Sequence, residues 1–400
     1  MTPLNESGLT KLVLTFDLGA SLNKIVAQIY PDAVPQFITM SSEVADVERE
    51  SVAGLAINPL TFDAAWVGIG LDYYALGSLA KNKFAGTSAV RDLKYQYALP
   101  KVAGLLWLTC QHLDLKEADV FIHLLLPSGE SKDGNTLGKR LSAALKQGII
   151  TPTGRLKLKQ RNFYVSLEGA GIISYRSRTL GSACNHQTIG MLMLGYRNAS
   201  FTVIKAGNQI KAESTDLGMN WLIERFVEQT SVGLSKDDLR LPKALVEANS
   251  GNLEPLRSLS RKTKSADIES DLTLFRQSLN LVRREYCRAL LRWIRNIAAV
   301  DEVLICGGTG EFVRSELTQF FEDEAIPIIW NGGVNVPTVL DTHKLGSRLA
   351  DVWASHINHI SMLDTNFGYD RQQPLAPQPA KASEPTKQDR WKNFLPMLEP

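Results

Sequence analysis

The chain has 400 residues, enough for two or three domain-sized units, and its formal net charge is +2. Its composition is 44% hydrophobic and 22% charged, which is ordinary for a globular protein and argues against a disordered or fibrous one. The near-neutral charge also argues against a protein that binds nucleic acid or acidic membranes through its overall charge.

The predicted elements alternate between strands and helices along the chain. Strands are predicted at Lys11–Phe16, Lys24–Ile29, Asp119–Leu126, Arg161–Leu167, Thr188–Leu194, Ser200–Ala206 and Glu302–Cys306, with a short edge strand at Trp66–Ile69. Helices are predicted at Leu99–His112, Ile268–Ala298, Glu311–Glu322 and Leu345–Ile360. A strand runs into a glycine turn at Gly19 and again at Gly195. This pattern predicts an α/β fold with two related halves and a cleft between them.

The first glycine turn carries the strongest chemical signal. Gly19 permits a tight turn, and the small residues after it let backbone N–H groups approach an anion. Asp17 could hold a hydrated Mg²⁺, and Lys24 could neutralise phosphate charge. Phosphate contacts are therefore predicted for Asp17, Gly19, Ala20, Ser21, Asn23 and Lys24. An ordinary hairpin with a polar turn explains the same residues without any ligand.

Two further patterns follow buried strands. Glu168 ends the strand Arg161–Leu167, where a glutamate that projects into a cleft can orient an attacking water; a solvated loop carboxylate is the plain alternative. The strand Glu302–Cys306 delivers glycines to a helix start, which would let a sugar or flat ring approach the backbone. Adenosine contacts are predicted for Gly307, Gly308, Thr309 and Gly310. A tight turn without a ligand fits that loop equally well.

The order of these patterns resembles the actin-like ATPases, and most closely the bacterial ParM/StbA branch, the filament-forming motors of plasmid segregation. Asp17, Gly19, Asn23 and Lys24 resemble the first phosphate loop of that family. Leu126-Pro127-Ser128 is similar to a strand end that reads Gly-Leu-Pro in the family. Leu167-Glu168-Gly169 resembles the Pro-Glu pattern that holds the catalytic glutamate, and Gly307–Gly310 resembles the adenosine loop.

One departure from the family lies in the second phosphate loop. The family has Asp-Leu-Gly-Gly-Thr-Thr or a close variant there, whereas the matching stretch of this chain is Met193-Leu194-Gly195-Tyr196-Arg197-Asn198. Methionine is no ligand for Mg²⁺, which prefers oxygen. Asp17 is then the metal ligand that remains, with Asp216 as a candidate substitute. The resemblance assigns phosphate contacts to Gly195, Arg197 and Asn198, and the departure predicts slow hydrolysis rather than lost nucleotide binding.

The resemblance implies a ribonuclease H-like, actin-like fold of two domains with a nucleotide cleft between them. Expected divisions are an N-terminal extension (1–10), domain I (11–190, with an insertion at about 38–97), domain II (191–344), a helix returning to domain I (345–368) and a disordered tail (369–400). The tail ends in Arg390–Met397, which is either a random terminus or a docking peptide.

The implied function is an ATP-dependent filament, with Mg²⁺ as the metal and GTP as an alternative nucleotide. Its partners would be further copies of itself and an adaptor bound to DNA, with no direct DNA binding expected. A filament used for cell shape or membrane organisation, a non-hydrolysing scaffold and a small-molecule kinase remain as alternatives. No convincing catalytic aspartate for a kinase is evident in the sequence.

The sequence also predicts the compartment. Its first 20 residues lack the basic start and apolar run of a signal peptide, and no apolar stretch reaches membrane-spanning length. The four cysteines, Cys110, Cys184, Cys287 and Cys306, are far apart and form no CxxC pair, so we expect buried free thiols rather than a zinc or redox site. These features together favour a cytoplasmic protein.

Overall fold

The computed structural model describes residues 8–58, 63–87, 96–127, 130–236, 238, 240–296, 299–373 and 375. Three predictions therefore fall wholly or largely outside the described residues: most of the N-terminal extension, Ser128 of the Gly-Leu-Pro-like pattern, and the peptide Arg390–Met397. Within the described part, no helix is both long and apolar enough to cross a bilayer.

The chain up to His186 alternates strands with helices. Its strands are β1 (Lys11–Leu18), β2 (Leu22–Ile29), β3 (Gln36–Ser41), β4 (Val44–Val47), β5 (Ala64–Ile69), β6 (Asp72–Gly77), β7 (Glu117–Leu126), β8 (Ile150–Thr151), β9 (Gly154–Arg155) and β10 (Lys157–Leu167). Its helices are α1 (Arg49–Val52), α2 (Ser78–Lys83), α3 (Ala98–His112), α4 (Gly134–Gln147) and α5 (Ala170–Leu180), with 3-10 turns at Ser131–Asp133 and Gly181–His186.

The rest of the described chain follows the same alternation. Its strands are β11 (Thr188–Leu194), β12 (Ala199–Lys205), β13 (Asn208–Thr215), β14 (Glu302–Cys306) and β15 (Ile328–Trp330). Its helices are α6 (Met219–Thr230), α7 (Leu241–Asn249), α8 (Glu254–Arg257), α9 (Ser265–Arg295), α10 (Gly308–Phe312), α11 (Arg314–Asp323) and α12 (Ala350–Phe367), with 3-10 turns at Asn331–Gly333 and Gly346–Leu349.

Two five-stranded sheets share one topology. The first has the order β10-β7-β1-β2-β3, and the second has the order β15-β14-β11-β12-β13. In each sheet three antiparallel strands are joined to two parallel ones, and the first strand in sequence lies at the centre. The predicted pair of related halves is therefore confirmed.

A third sheet, with the order β4-β6-β5-β8-β9, forms the insertion between β3 and α3 together with a short hairpin that precedes β10. β5 pairs with β6 on one side and, through Gly68 opposite Ile150, with β8 on the other. The predicted edge strand at Trp66–Ile69 is thus wrong in one respect, because this segment is an interior strand of its sheet.

Both faces of the first sheet are covered, which explains why β1 is buried along nearly its whole length. Leu12, Leu14 and Phe16 pack into the cluster formed with α3 and α4. On the opposite face Val13 packs against Ile360 of α12. The first sheet is therefore a layer between α3 and α4 on one side and the last helix on the other.

The second half is built around the long helix α9. The helix lies against α6, α8 and α11, and its buried side chains recur every three or four residues: Leu272, Phe275, Leu279, Val282, Tyr286, Leu290 and Ile294. The helix starts three residues before the predicted Ile268. The predicted helix Glu311–Glu322 is divided into α10 and α11 at Val313. All four cysteines are free and buried, as predicted.

Two helices join the halves. α5 leads from the last strand of the first sheet to the first strand of the second, and α12 returns to the first sheet, where it lies against β1 and β2. The two helices cross closely, since a Cβ added at Gly171 of α5 would lie 2.2 Å from Ser355 Oγ of α12. The crossing sets the base of the cleft between the sheets.

Candidate functional site

The hairpin of β1 and β2, called here the first hairpin, ends in a turn of four residues, Gly19–Leu22, between Leu18 and Asn23. Asp17 lies directly opposite Lys24 in the register. Lys24 Nζ is 2.5 Å from Asp17 Oδ2, and both side chains are about 13% exposed. This hairpin therefore presents one charged pair at the end of the sheet.

The turn of the first hairpin is held by hydrogen bonds with residues at the end of β3. Ser42 Oγ donates a hydrogen bond to the Ala20 carbonyl at 2.5 Å. Asn23 is fully buried, and its Nδ2 donates to the Ser41 carbonyl at 3.1 Å. The Asn23 Oδ1 atom accepts no hydrogen bond from the described protein atoms. Asn23 thus ties the hairpin to the end of β3, and its predicted phosphate contact stays a prediction.

The hairpin of β11 and β12, called here the second hairpin, repeats the first in the other sheet. Its turn, Gly195–Asn198, also has four residues, and Met193 lies opposite Ser200 as Asp17 lies opposite Lys24. The Gly195 N–H donates to the Asn198 carbonyl at 2.9 Å. By topology and register, Met193 therefore occupies the place in the second sheet that Asp17 occupies in the first.

The glycine-rich loop after β14 lies against the second hairpin. Gly307 has φ of 97°, and a Cβ added to it would lie 2.2 Å from the Leu194 carbonyl oxygen. Both the backbone conformation and the steric overlap therefore exclude a larger residue. Thr309 is buried, and its Oγ1 donates to the Gly195 carbonyl at 2.8 Å. The structure thus brings two predicted segments, Gly195–Asn198 and Gly307–Gly310, together.

Arg197 of the second hairpin reaches toward the other half. Its Nη1 is 3.8 Å from Glu130 Oε1, and Glu130 belongs to the segment between β7 and α4. The Glu130 side chain is only 6% exposed, whereas the Arg197 side chain is 30% exposed. The pair links the two halves, and it leaves part of the guanidinium open to solvent.

Arg348 was not among the predicted site residues. Its Nη2 donates to Ser21 Oγ at 3.2 Å, and its backbone carbonyl accepts from Lys24 Nζ at 3.0 Å. The stem of Arg348 lies 3.7 Å from where a Cβ on Gly308 would be. Burial lowers the pKa of this guanidinium, and Asp17 opposes that shift. Arg348 therefore lies between the first hairpin and the glycine-rich loop.

Glu168 follows β10 directly and leads into α5. Its N–H donates to the Leu126 carbonyl at 3.0 Å, and the next residue, Gly169, donates its N–H to Asp351 Oδ2 at 2.8 Å. Asp351 lies in the first turn of α12 and is 8% exposed. It was also missed by the sequence reasoning, which had no motif to mark it.

Asp351 shares an electrostatic environment with two predicted site residues. Burial raises its pKa to about 7; the carboxylates of Asp17 and Glu168 add to the rise, whereas the Gly169 hydrogen bond and Lys24 oppose it. Asp17 and Glu168 therefore lie near enough to Asp351 to disfavour its charged form.

The predicted site residues thus come from four separate chain segments. The Gly195 and Thr309 segments are in direct contact, and Arg348 lies against both Ser21 and Gly308. The sequence matches no protein-family model, and it matches no curated protein. Solved structures do match. A ParM from a 15-stranded filament of Clostridium botulinum superposes with a TM-score of 0.55 and 16% identity, covering 88% of this chain and 100% of that one. The chain has the actin-like fold of the ParM proteins.

Two further actin-like structures support the same fold. Bacillus thuringiensis ParM with AMPPNP gives a TM-score of 0.51 at 14% identity, covering 88% of this chain and 99% of that chain. An archaeal actin homologue gives the same TM-score, identity and shares of each chain. The predicted two-domain actin-like fold is therefore confirmed, and the three neighbours match it over nearly their whole length.

Whether the cleft of this actin-like fold suits Mg²⁺ depends on its oxygen donors. Among the described residues, no group of three or more His, Cys, Asp or Glu is placed to hold a metal ion by itself. Mg²⁺ commonly keeps several waters and uses one or two carboxylates together with nucleotide phosphates. Asp17 fits that requirement, and Met193 on the opposite hairpin does not.

Proposed function

We propose that this protein binds ATP with Mg²⁺ in the cleft between its two sheets and polymerises into an actin-like filament in that state. GTP is the alternative nucleotide. The observation that carries the proposal is the repetition of one hairpin topology and register in both sheets, with Asp17 and Lys24 opposite each other in the first hairpin and Gly195 in the turn of the second. The likeness to a ParM filament structure supports polymerisation.

The first step derived from these residues is phosphate binding. The turn residues Gly19–Ser21 would offer backbone N–H groups to the phosphates, and Lys24 and Arg197 would supply positive charge. Gly195 and Asn198 would approach from the other side, and Gly307–Gly310 would contact the adenosine. Bound Mg²⁺ would neutralise phosphate charge, with Asp17 as its protein ligand.

The second step is closure and assembly. Because both hairpins would contact the same phosphates, bound nucleotide would hold the two halves together. A closed subunit can present matched surfaces to its neighbours, and head-to-tail contacts that do not form a ring produce a filament. The Glu130–Arg197 pair already joins the halves at one point, so nucleotide would add to a contact that exists without it.

The third step is hydrolysis. Glu168 would accept a hydrogen bond from the attacking water and orient it toward the γ-phosphate, while the surrounding charges stabilise the transferring group. Hydrolysis would weaken the contacts across the cleft and favour disassembly. We place this cycle in the cytoplasm, with DNA segregation through an adaptor protein as its task and cell shape or membrane organisation as the alternative.

A second candidate function, a nucleotide-binding scaffold that does not hydrolyse, is favoured by Met193. Its place in the second hairpin corresponds to that of Asp17, and a thioether there supplies no ligand for Mg²⁺. Binding and polymerisation would then persist while turnover is very slow.

Electron microscopy and light scattering with ATP, ADP, GTP and a non-hydrolysable analogue test the proposal. Polymers that require a nucleoside triphosphate are expected. Absence of polymer under every nucleotide would contradict the filament proposal. Phosphate release by the wild type and by Glu168→Ala then distinguishes a motor from a scaffold, since only a motor loses turnover in the variant. Glu322→Ala on α11, an exposed glutamate outside the cleft, is the matched control.

A further inference from the structure

The backbone around Glu168 is fixed by contacts from three directions. The Glu168 N–H donates to the carbonyl of Leu126, the last residue of β7. The Gly169 carbonyl accepts from the Ile173 N–H of α5 at 3.0 Å. The Gly169 N–H of the same turn donates to Asp351 Oδ2 at 2.8 Å. That last contact is the one that comes from a side chain, and it comes from α12.

Gly169 has a backbone conformation that residues other than glycine rarely adopt. Its φ is 83°, in the left-handed region that favours glycine. A Cβ at this position would lie 3.0 Å from Met191 Cε and 3.5 Å from Met193 Cε, so the second sheet covers the turn on one side. An oxygen acceptor for its N–H stabilises this conformation, because a buried N–H without a partner is costly.

The other oxygen of Asp351 has no partner. Asp351 Oδ1 is buried and accepts no hydrogen bond from the described atoms. Burial and the neighbouring carboxylates Asp17 and Glu168 all disfavour the charged form of Asp351 at this position. A side chain held at such a cost is more readily explained by a specific acceptor role than by packing.

We infer that Asp351 is a positioning residue: by holding the Gly169 N–H, it aims Glu168 into the cleft from the helix that returns to the first half. The inference rests on the proposed role of Glu168 in hydrolysis. It differs from that role because Asp351 acts through the backbone of the turn rather than on the reacting atoms. The orientation of Glu168 would then depend on how α5 and α12 cross.

Steady-state phosphate release and nucleotide affinity test this inference together. Asp351→Ala is expected to lower kcat roughly 10- to 100-fold, because small displacements of a catalytic group are costly, while the Kd for a non-hydrolysable analogue stays within about twofold. Asp351→Asn keeps an oxygen that can accept the Gly169 N–H and should retain kcat within about threefold. Asp351→Glu keeps the charge but displaces the acceptor, so it should lose kcat.

The control is Ser355→Ala, one turn later on the same helix and against Gly171 of the same crossing, where no hydrogen bond is lost. It should leave kcat unchanged. If Asp351→Ala does not fold, the asparagine and glutamate variants still decide between acceptor and charge. Equal loss in both, or wild-type kcat in the alanine or glutamate variant, overturns the inference.

The two proposals fail in different ways. A wild type whose phosphate release depends on Glu168 but not on Asp351 would overturn the positioning role alone. A wild type that releases no phosphate with any nucleotide would overturn hydrolysis and the positioning role together. A change in Kd that equals the change in kcat would show that Asp351 supports the binding site as a whole, and would also count against it.

Discussion

The first and second hairpins differ in chemistry although they agree in geometry. Each has a four-residue turn, and each joins the central strand of a five-stranded sheet to its antiparallel neighbour. At corresponding positions the first hairpin has Asp17 and Lys24, whereas the second has Met193 and Ser200. The hairpin backbone is therefore duplicated, but the carboxylate that would hold a metal lies on the first hairpin.

The difference teaches that fold symmetry does not require chemical symmetry. The second hairpin lacks a carboxylate at that position, and its described contacts include the hydrogen bond from Thr309 to the Gly195 carbonyl and the ion pair of Arg197 with Glu130 of the first half. Its proposed charge contribution is the Arg197 guanidinium. The first hairpin should therefore be sensitive to loss of its carboxylate, whereas substitution of Met193 in the second should have little effect on binding.

The largest effect is expected from Asp17→Ala. With Met193 opposite, no second hairpin carboxylate can replace Asp17, so affinity for Mg-nucleotide should fall roughly 100-fold, equivalent to about 2.7 kcal/mol. Met193→Ala should change affinity by less than about threefold on the same scale. Calorimetric titration with a non-hydrolysable analogue measures both, and the exposed Asp72→Ala is the control. Normal binding by Asp17→Ala would show that the hairpin has been misassigned.

Met193→Asp would give the second hairpin a carboxylate at the position that corresponds to Asp17 in the first. Without nucleotide the new carboxylate lies near Gly169, close to Glu168 and Asp351, and should lower the free energy of unfolding by about 1–3 kcal/mol. Mg-nucleotide should reverse that loss, so the ligand-induced rise in Tm should exceed that of the wild type. Thermal unfolding with and without ligand measures the rise, and Met193→Leu is the apolar control. A smaller rise than in the wild type would contradict a metal near this position.

The two halves should also differ in their response to acid. The buried histidines among the described residues, His123, His356 and His359, all lie between the first sheet and α12. Burial lowers the pKa of His123 to about 4 and that of His356 to about 3, and lowers the pKa of His359 as well. These rings are neutral when folded and take up protons when unfolded, so stability is lost as pH falls from about 6.5 toward 4.

The raised pKa of Asp351 opposes this trend, since the folded state then binds a proton that the unfolded state releases. With three histidines against one carboxyl, we expect a net loss of roughly 3 kcal/mol between pH 7 and pH 5. Urea unfolding at the two pH values measures it. Neither ring nitrogen of His359 has a hydrogen-bond partner among the described atoms, so His359→Phe should reduce the pH dependence without destabilising the fold at pH 7. An unchanged slope would contradict this account.

The smallest effect is expected from Thr309→Val, which keeps the side-chain shape but removes the 2.8 Å hydrogen bond to Gly195. The cost should be about 1 kcal/mol. Ser42→Ala makes the matched change beneath the first hairpin by removing the contact with Ala20. Chemical denaturation measures both. If supports of the two hairpins contribute alike to stability, the two variants should fall within about 0.5 kcal/mol of each other.

The local patterns of the sequence predict the α/β class, and the resemblance to the ParM/StbA family supplies the actin-like fold. β1, β7, β11 and β14 are short apolar runs that end at glycine or proline, and strands of that kind alternating with helices indicate an α/β fold. Runs of this kind place Asp17 and Gly307 at strand ends, and the strand before Glu168 does the same for that residue. The topology then added the register that sets Met193 at the counterpart of Asp17, which spacing alone could only suggest.

Arg348 and Asp351 could not be predicted in that way. Each lies far along the chain from its partner, Ser21 or Gly169, in a segment without a motif of its own. They reach the cleft because Gly171 lets α12 cross α5 closely, and the geometry of that crossing is a property of packing rather than of local pattern. The break in the helix at Val313 was hidden for a similar reason, since Val313 is buried in the core of the second half.

The insertion is attached to the first half at two places. Its own chain leaves β3 and rejoins α3, but its interior strand β5 also pairs with β8, and the short hairpin of β8 and β9 runs within two residues into β10. β10 is the strand that ends at Glu168. A neighbouring molecule bound to the insertion would therefore contact a unit that is continuous, through β8 and β9, with the strand that ends at Glu168.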